Sequence, residues 1–410
     1  MVFKCQEDSF LQEFTSKVLS CEKSVATLVI DGNKQKIEGY DVIMEDTILF
    51  PEGGGQPYDT GFINDAEVLQ VLRKGSKAIH FVKTPVEVNS NALQKINWER
   101  RLDHMQQHSG QHLLSAVLES KFGYSTLAWW LGENVAYIEL DTKQVTEDQK
   151  NEVEAILNKY IRENLPVKVL VYEKDDPRIN DATRNGKTLP ADHEGAVRLI
   201  EIAGVDLNPC CGTHVSALGQ LQAIKLLGAE KGKQGRVNLN FLVGGRVLKY
   251  LQNCLERENS MTEILKGGPR SHPDLAQKLL TSQKTASKNL NACLKYIAKL
   301  EAEKLLAATP RPKYYSLHNS EAADFPDFMN CFIKEVNSTD ILLLLTVGCD
   351  KGAGNMVLFG PEELVMELGP KICELLNGKG AGKGNKYQAK VNNLKNRQTC
   401  LNLIASKFEV

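Results

Sequence analysis

The sequence predicts an α+β fold in four successive segments, residues 1–95, 96–250, 251–310 and 311–410. Three observations lead to this division. Short alternating apolar runs fill the first segment, and the hydrophobic period becomes helical after Asn97. A long helical stretch then ends at prolines, before strands and helices alternate. Strands mixed with long helices favour the α+β class.

The first segment is predicted to be a small β-barrel. Its strand-like runs are separated by turn residues such as those at positions 31–33, which is typical of short antiparallel strands. The runs are residues 26–30, 41–44, 68–72 and 78–82.

The second segment is predicted to be a mixed α+β domain. A helix from Arg101 to Phe122 carries an apolar stripe at residues 113–118, and Thr146 opens a second helix with a capping signal. The predicted strands are residues 135–140, 167–172 and 197–202, with a hairpin of 223–227 and 237–242.

The third segment is predicted to be a helical arm and the fourth a small α/β domain. Residues 246–308 are helical in pattern, with a break near residues 267–269, and their spacing suits a helical hairpin or short coiled coil. Prolines at 310 and 312 end the arm. The apolar run at residues 340–347 is too short to span a bilayer and predicts a buried strand.

Composition limits the classes of function. A formal net charge of −1 excludes a uniformly basic nucleic-acid binder, so any RNA contact must come from local patches. The first eight residues lack the apolar segment of a signal peptide. Most of the ten cysteines are scattered singly, so we expect a reducing, cytoplasmic location without membrane association.

Two histidine-containing motifs predict a metal site. His108 and His112 are four residues apart on a predicted helix, so both imidazoles lie on one face. Cys210 and His214 bracket a Gly-Thr turn about a hundred residues later. A thiolate with imidazoles suits Zn²⁺ best, and we predict one zinc ion held by these four side chains.

The same region leaves three questions open. His104, one turn before His108, is a ligand, an orienting group or a structural residue, and we favour the orienting role. Cys211 is a competing ligand, but Cys210 has the better spacing to His214. Four protein ligands are typical of structural zinc, whereas three ligands and a water are typical of catalytic zinc.

These residues resemble the editing domain of alanyl-tRNA synthetase and its free-standing relatives, the alanyl-tRNA editing proteins of the longer, eukaryotic kind. The family's His-x-x-x-His helix and Cys-x-x-x-His loop fall on the four residues named above. Its glycine-rich loop matches FPEGGGQP at residues 50–57, and WERRLDHM at residues 98–105 precedes the first histidine pair. LNGKGAGKG at residues 376–384 is similar to a C-terminal element of the synthetase. Cys211 and Glu52 depart from the family pattern, which usually has glycine and a small hydroxyl residue there.

The resemblance implies a trans-editing hydrolase that deacylates mischarged tRNA(Ala). Serine is the main amino acid removed, glycine is a further one, and alanine is spared. The predicted substrate contacts are Gly53, Gly54, Gly55, Gln56, His104 and Thr213. Glu194 beside His193 is a weaker alternative as general base, Asp206 an alternative ligand-orienting residue, and the pair Trp129-Trp130 is assigned to the core rather than to base stacking.

The C-terminal region is predicted to contact RNA. Residues 375–408 carry seven basic side chains and no acidic one, a density that suits phosphate contact as well as a solvated surface. We assign the contact to Lys379, Lys383, Lys386 and Lys390 of a glycine-rich loop. Two other functions stay open: a zinc hydrolase of another ester or amide, and an RNA-binding or scaffold protein with structural zinc.

Overall fold

The computed structural model describes residues 2–30, 32–173, 176–181, 196–320, 325–350 and 352–408. The chain divides into two compact units, Met1–Glu258 (unit 1) and Asn259–Val410 (unit 2). Both units combine helices with β-sheets, so the predicted α+β class is confirmed. The predicted domain boundaries near residues 95, 250 and 310 are not tested by this division and stay predictions.

Unit 1 begins with a short helix and a closed six-stranded barrel, in which β6 pairs with β1. Alternate side chains such as Val18, Val42, Val68 and Val82 are fully buried, because successive residues of a strand point to opposite faces. The elements are α1 (Lys4–Glu7), β1 (Glu13–Ile30), β2 (Asn33–Met44), β3 (Gly61–Ile63), β4 (Ala66–Lys74), β5 (Lys77–Val82) and β6 (Asn91–Ile96). The barrel order is β1-β2-β5-β4-β3-β6.

The helix α2 (Trp98–Phe122) follows the barrel and forms the centre of unit 1. It begins three residues before the predicted start, because the Asn97 side chain accepts a hydrogen bond from the Arg100 backbone N–H and caps the helix. Arg101 is fully buried and joins α2 to the barrel through an ion pair with Asp59 and a hydrogen bond to the Ser9 carbonyl.

The predicted apolar stripe of α2 packs into the core of unit 1. Leu113, Leu114 and Leu118 are fully buried and share a cluster with Ile138 and Phe241. The remaining elements up to residue 265 are β7 (Thr126–Trp130), β8 (Ala136–Leu140), α3 (Glu147–Arg162), β9 (Val167–Tyr172), α4 (Arg178–Asp181), β10 (Val197–Ile202), β11 (Asp206–Pro209), β12 (Ile224–Lys231), β13 (Val237–Val243) and α5 (Gly245–Leu265).

Two antiparallel sheets lie beside α2, with the orders β12-β13-β8-β7 and β11-β10-β9. The predicted capping signal of α3 is confirmed, since Thr146 and Gln149 exchange hydrogen bonds in a capping box. The sequence analysis missed β7 and β11, two short edge strands without clear alternation.

Unit 2 contains a long helix and a five-stranded sheet. The break between α5 and the next helix falls at residues 266–271, as the glycines and Pro269 predicted. All six residues of the strand predicted near position 342 are buried. The elements are α6 (His272–Ala307), β14 (Tyr314–Asn319), α7 (Phe325–Val336), β15 (Leu342–Val347), β16 (Gly354–Phe359), α8 (Glu362–Leu375), β17 (Lys379–Lys383), β18 (Lys386–Val391) and α9 (Arg397–Ala405).

The sheet of unit 2 has the order β14-β15-β16-β18-β17, in which only the β14–β15 pair is parallel. In the described part of the chain, no helix has the length and apolar character needed to cross a bilayer.

Candidate metal centre

Helix α2 brings two of the predicted metal ligands together in the interior. His108 is fully buried and His112 is 8% exposed, and their ring centroids lie 5.2 Å apart. This spacing follows from the helix, since residues i and i+4 lie one above the other. The apolar residues that bury the opposite face of α2 therefore also fix the direction of both imidazoles.

The loop at residues 210–214 supplies the other two predicted ligands. It leaves β11, and its backbone is held by two side chains from distant parts of unit 1. The Arg198 guanidinium donates to the Cys210 carbonyl, and the Gln6 amide donates to the Cys211 carbonyl at 2.6 Å. The loop is thus fixed from both the β10 strand and the N-terminal helix.

The four predicted ligands converge. One ligand atom from each of His108, His112, Cys210 and His214 lies within 4.8 Å of the others. The Cys210 Sγ is 3.4 Å from His108 Nε2 and 3.2 Å from His214 Nε2. Tetrahedral zinc with its usual bond lengths places sulfur and nitrogen ligands about 3.6 Å apart. The donor set and its spacing therefore fit a metal ion.

A glutamine of the glycine-rich loop fixes the tautomer of His108. The Gln56 Oε1 accepts the backbone N–H of Thr213 at 2.9 Å, and its Nε2 donates to Thr213 Oγ1 at 2.8 Å. Because an N–H can only donate, the amide orientation is determined. His108 Nδ1, 3.0 Å from the same Oε1, must then carry the proton and donate. Its Nε2 keeps a free lone pair directed at the cluster.

The other two imidazoles also have orienting groups at their outer nitrogens. His214 Nδ1 lies 3.0 Å from Ser109 Oγ, which also accepts the Val215 backbone N–H. His112 Nδ1 lies 3.8 Å from a carboxylate oxygen of Asp206. Groups of this kind hold metal-binding imidazoles in position and set their basicity.

Electrostatics favour the deprotonated forms of the cluster. Burial lowers the pKa of His108 and lowers that of His214 to about 3. Burial by itself raises the pKa of the Cys210 thiol, but the neighbouring imidazoles of His108 and His214 outweigh it and hold that pKa well below its usual value. Metal binding requires neutral imidazoles and a thiolate; burial favours the neutral imidazoles, and positive charge within the cluster, including that of a bound metal ion, favours the thiolate.

The glycine-rich loop packs tightly beside the cluster. Gly54 and Gly55 have φ angles of +57° and +80°. A Cβ at Gly54 would lie 2.6 Å from Cys211 Sγ, and a Cβ at Gly55 would lie 2.6 Å from the Trp129 ring. Only glycine suits both the conformation and the space. The Gly53 N–H is bonded to the Gln56 carbonyl and the Gln56 N–H to the Gly53 carbonyl, which closes the loop.

The remaining predicted site residues occupy different positions. Thr213 is fully buried against Gln56. His104 is 4% exposed, lies outside the cluster, and its Nδ1 has no hydrogen-bond partner among the described residues. Cys211 also lies outside the four converging side chains. His193 and Glu194 fall outside the described residues.

The prediction that Trp129 and Trp130 both belong to the core is wrong for Trp130. Trp129 packs against His108 with ring centroids 4.9 Å apart, whereas Trp130 is 57% exposed. Both lie in β7, where neighbouring side chains point to opposite faces. The sequence analysis could not separate them because it did not recognise the strand.

The predicted RNA-contact residues form a β-hairpin rather than a loop. Strands β17 and β18 pair so that Lys379 faces Lys390 and Lys383 faces Lys386. The loop prediction was wrong because the glycines of this stretch permit close strand packing: a Cβ at Gly380 would lie 2.2 Å from the Gln388 carbonyl oxygen.

Sequence reasoning also missed residues that support the metal centre. Ser109, Arg198 and Gln6 all hold ligands or the ligand loop. Ser109 lies inside the His-x-x-x-His motif, so its position next to His108 was the available signal. Arg198 and Gln6 carry no local signal, because their contacts depend on how distant segments pair.

A half-buried cysteine and three buried imidazoles, brought together by a helix and a loop of an α+β unit, form a cluster that could hold a metal ion, and this defines the class of protein. Comparison with known proteins narrows that class. The family model described as the threonyl and alanyl tRNA synthetase second additional domain matches residues 197–238, which include the loop with Cys210 and His214.

Relatives match the chain over nearly its whole length. The alanyl-tRNA editing protein Aarsd1-B of Xenopus laevis is 44% identical over 100% of this chain and 99% of its own length. The putative alanyl-tRNA editing protein alaX of Saccharomyces cerevisiae is 30% identical over 96% of this chain and 94% of its own length. An alanine–tRNA ligase of Pyrococcus abyssi is 24% identical over 94% of this chain and 41% of the ligase. The chain belongs to the alanyl-tRNA editing protein family, as the resemblance predicted.

Proposed function

We propose that this protein is a zinc-dependent trans-editing hydrolase. It deacylates mischarged tRNA(Ala), chiefly Ser-tRNA(Ala) and also Gly-tRNA(Ala), and spares Ala-tRNA(Ala). The observation that carries the proposal is the convergence of His108, His112, Cys210 and His214 in a chain whose relatives are named alanyl-tRNA editing proteins. We further propose that it acts in the cytoplasm and that the segments 1–95, 96–250, 251–310 and 311–410 are its domains.

The chemistry of the four side chains favours zinc over harder divalent ions. A thiolate with imidazoles suits zinc, whereas magnesium and calcium prefer oxygen ligands. When bound, zinc polarises an oxygen of the substrate or lowers the pKa of a coordinated water. The protein itself contributes orientation, since Gln56 and Ser109 hold His108 and His214 in place.

Removal of serine but not alanine follows from a polar difference between the two amino acids. An apolar pocket rejects an added hydroxyl only weakly, which is how serine enters tRNA(Ala). A site that hydrogen-bonds the hydroxyl leaves a buried polar group unpaired when alanine binds, and this costs affinity. Glycine lacks this hydroxyl as well, so its proposed removal rests on the resemblance to the editing family and not on this argument. A wall beside the metal centre is formed by Gly54, Gly55, Cys211 and Trp129. We propose that this wall contacts the side chain of the esterified amino acid and distinguishes serine from alanine. We propose that the substrate contacts are Gly53, Gly54, Gly55, Gln56, His104 and Thr213.

We propose that the lysine hairpin of unit 2 contacts RNA phosphates. Like charges directly opposite each other destabilise a pair of strands, yet Lys379 faces Lys390 and Lys383 faces Lys386. A polyanion that neutralises these pairs would relieve the repulsion. The hairpin is at the edge of its sheet, where β18 is the single neighbour of β17 among the described strands.

A structural zinc with an RNA-binding or scaffold role is the second candidate function. The observation in its favour is the number of side chains that converge, because four protein ligands are typical of structural zinc. In this case the ion would fix the loop at residues 210–214 to helix α2 and take no part in a reaction.

Deacylation of Ser-, Gly- and Ala-tRNA(Ala) by the full-length protein, with zinc content measured on the same sample, separates the two candidates. Release of serine and glycine with alanine spared is the expected result. A fully zinc-loaded protein that releases none of the three would contradict the hydrolase and favour the structural zinc. Equal release of serine from an unrelated seryl ester would indicate a less selective ester hydrolase.

A further inference from the structure

The N-terminal turn of unit 1, residues 3–9, contacts the ligand loop at residues 210–214. Helix α1 of this turn is fixed to the barrel, because the Cys5 backbone N–H donates to the Thr47 carbonyl at 3.1 Å and the Phe3 side chain is buried. The first residues of a domain are usually poorly ordered unless contacts of this kind hold them. The turn is therefore an integral part of unit 1.

Gln6 connects the turn to the ligand loop. Its Oε1 accepts the Phe3 backbone N–H at 2.9 Å, which determines the orientation of the amide, and its Nε2 donates to the Cys211 carbonyl at 2.6 Å. The Gln6 carbonyl accepts Arg198 Nε at 3.0 Å, and Arg198 also donates to the Cys210 carbonyl. Gln6 is buried, so removal of its amide would leave a loop carbonyl without this donor, at the cost of an unpaired polar group.

Ser9 connects the turn to both elements that carry metal ligands. Its Oγ accepts the His214 backbone N–H at 3.3 Å, and its carbonyl accepts Arg101 Nη1 at 2.9 Å. Arg101 lies on helix α2, about two turns and about 10 Å before His108 along the helix axis. Ser9 and Arg101 are both buried, so little water competes for these hydrogen bonds.

The turn thus joins the two halves of the metal centre. Helix α2 supplies His108 and His112, and the loop supplies Cys210 and His214. Metal–ligand distances must be correct to about 0.2 Å, and a site needs its groups held within about 0.5 Å of the working geometry. A contact that sets the separation of α2 and the loop therefore affects metal affinity without touching a ligand side chain.

We propose that Gln6 and Ser9 are positioning residues of the metal centre. Through the Cys211 carbonyl and the His214 backbone N–H, they set the position of the ligand loop relative to helix α2. Neither residue lies in the motifs that carry the resemblance to the editing family. The inference concerns metal binding and does not depend on the proposed function.

The test is Co²⁺ binding by the full-length protein after any bound metal has been removed with a chelator. The d–d bands of Co²⁺ report the coordination geometry, and the thiolate-to-metal charge-transfer band reports the bond to Cys210. Ser9→Ala and Gln6→Leu should each weaken Co²⁺ binding by about 10- to 100-fold, as expected for groups that orient metal ligands, and should shift the d–d bands. Ser9→Thr keeps the hydroxyl and should bind Co²⁺ as wild type does.

Ser16→Ala is the matched control. Ser16 is 7% exposed, as Ser9 is, and its Oγ also accepts a backbone N–H, that of Asp46 in the barrel at 3.1 Å. We expect this variant to lower the Tm without changing the affinity for Co²⁺ or the spectrum. A Ser9→Ala variant that behaves in the same way would overturn the inference. If Gln6→Leu does not fold, the comparison of Ser9→Ala with Ser9→Thr decides.

A second measurement uses the reciprocity of coupling, because a turn that favours metal binding must itself be stabilised by the metal. Zinc should slow the hydrogen exchange of the backbone N–H groups of residues 5–9 more than that of strand β4, and equal exchange with and without zinc would contradict the inference. A wild type that binds Co²⁺ through these residues but deacylates no tRNA would support the inference while the proposed hydrolase fails. A wild type that binds no Co²⁺ would overturn both.

Discussion

The metal centre of unit 1 and the lysine hairpin of unit 2 are built in opposite ways. Among the four candidate ligands the three histidines are buried and Cys210 is half-buried, and the outer nitrogen of each imidazole faces a neighbouring polar group. The hairpin lysines lie at a sheet edge, with like charges facing each other. Metal coordination needs fixed lone pairs, whereas phosphate contact needs charge density. Metal affinity is therefore sensitive to the loss of a single contact, whereas the affinity of the hairpin for phosphates depends on its total charge.

Loss of the Cys210 thiolate is expected to have the largest effect on zinc content and activity. Cys210→Ala removes the side chain that lies closest to two imidazoles, so we expect zinc content to fall from one per chain to near zero and deacylation to fall more than about 100-fold. Cys293→Ala, at an exposed cysteine of unit 2, is the control. Full zinc retention by Cys210→Ala would point to Cys211 as the true ligand.

Loss of an orienting group should have the next largest effect. Gln56→Ala deprives His108 Nδ1 of its acceptor, and we expect zinc affinity to drop by about 10- to 100-fold. Competition with a chelator measures this drop. Gln35→Ala, at an exposed position of the barrel, should leave zinc affinity unchanged. If Gln56→Ala lost deacylation at unchanged zinc affinity, Gln56 would contact the substrate instead.

The hairpin should respond additively and in a salt-dependent way. Lys383→Ala is expected to lower the slope of log affinity for tRNA against log salt by about one. The loss of affinity should be larger at low salt and similar for different tRNA sequences. Lys334→Ala, on helix α7 of the same unit, serves as control. An unchanged slope for Lys383→Ala would leave the hairpin as a solvated surface.

The smallest expected effect is a change of thermal stability with pH, which comes from the buried histidines. Burial lowers the pKa of His80 to about 4 and that of His214 to about 3, below the value near 6.5 of an unfolded chain. The folded state therefore binds fewer protons than the unfolded state at acidic pH. The contribution of these histidines to the free energy of unfolding is fully present above about pH 6.5 and is lost as the pH drops. The Tm of the metal-free protein should decrease by several degrees between pH 7 and 5. A Tm that stays constant over this range would show that these imidazoles are not buried.

Motifs set by local geometry were accessible from the sequence. Helical periodicity placed His108 and His112 on one face, and the Cys-x-x-x-His spacing identified Cys210 and His214, because these relations depend on a few neighbouring residues. The capping box of α3 and the buried strand β15 belong to the same category. The resemblance to the editing family was carried by such short motifs.

Only the tertiary structure determines which distant side chains hold these motif residues in place. The Gln56 amide reaches Thr213 and His108 across 157 and 52 residues, and Arg198 reaches the ligand loop from β10. The split between half-buried Trp129 and exposed Trp130, and the pairing of lysines in β17 and β18, likewise follow from strand pairing. Local sequence fixes the direction of a side chain within its own element, but the partner it meets depends on the packing and register of distant segments.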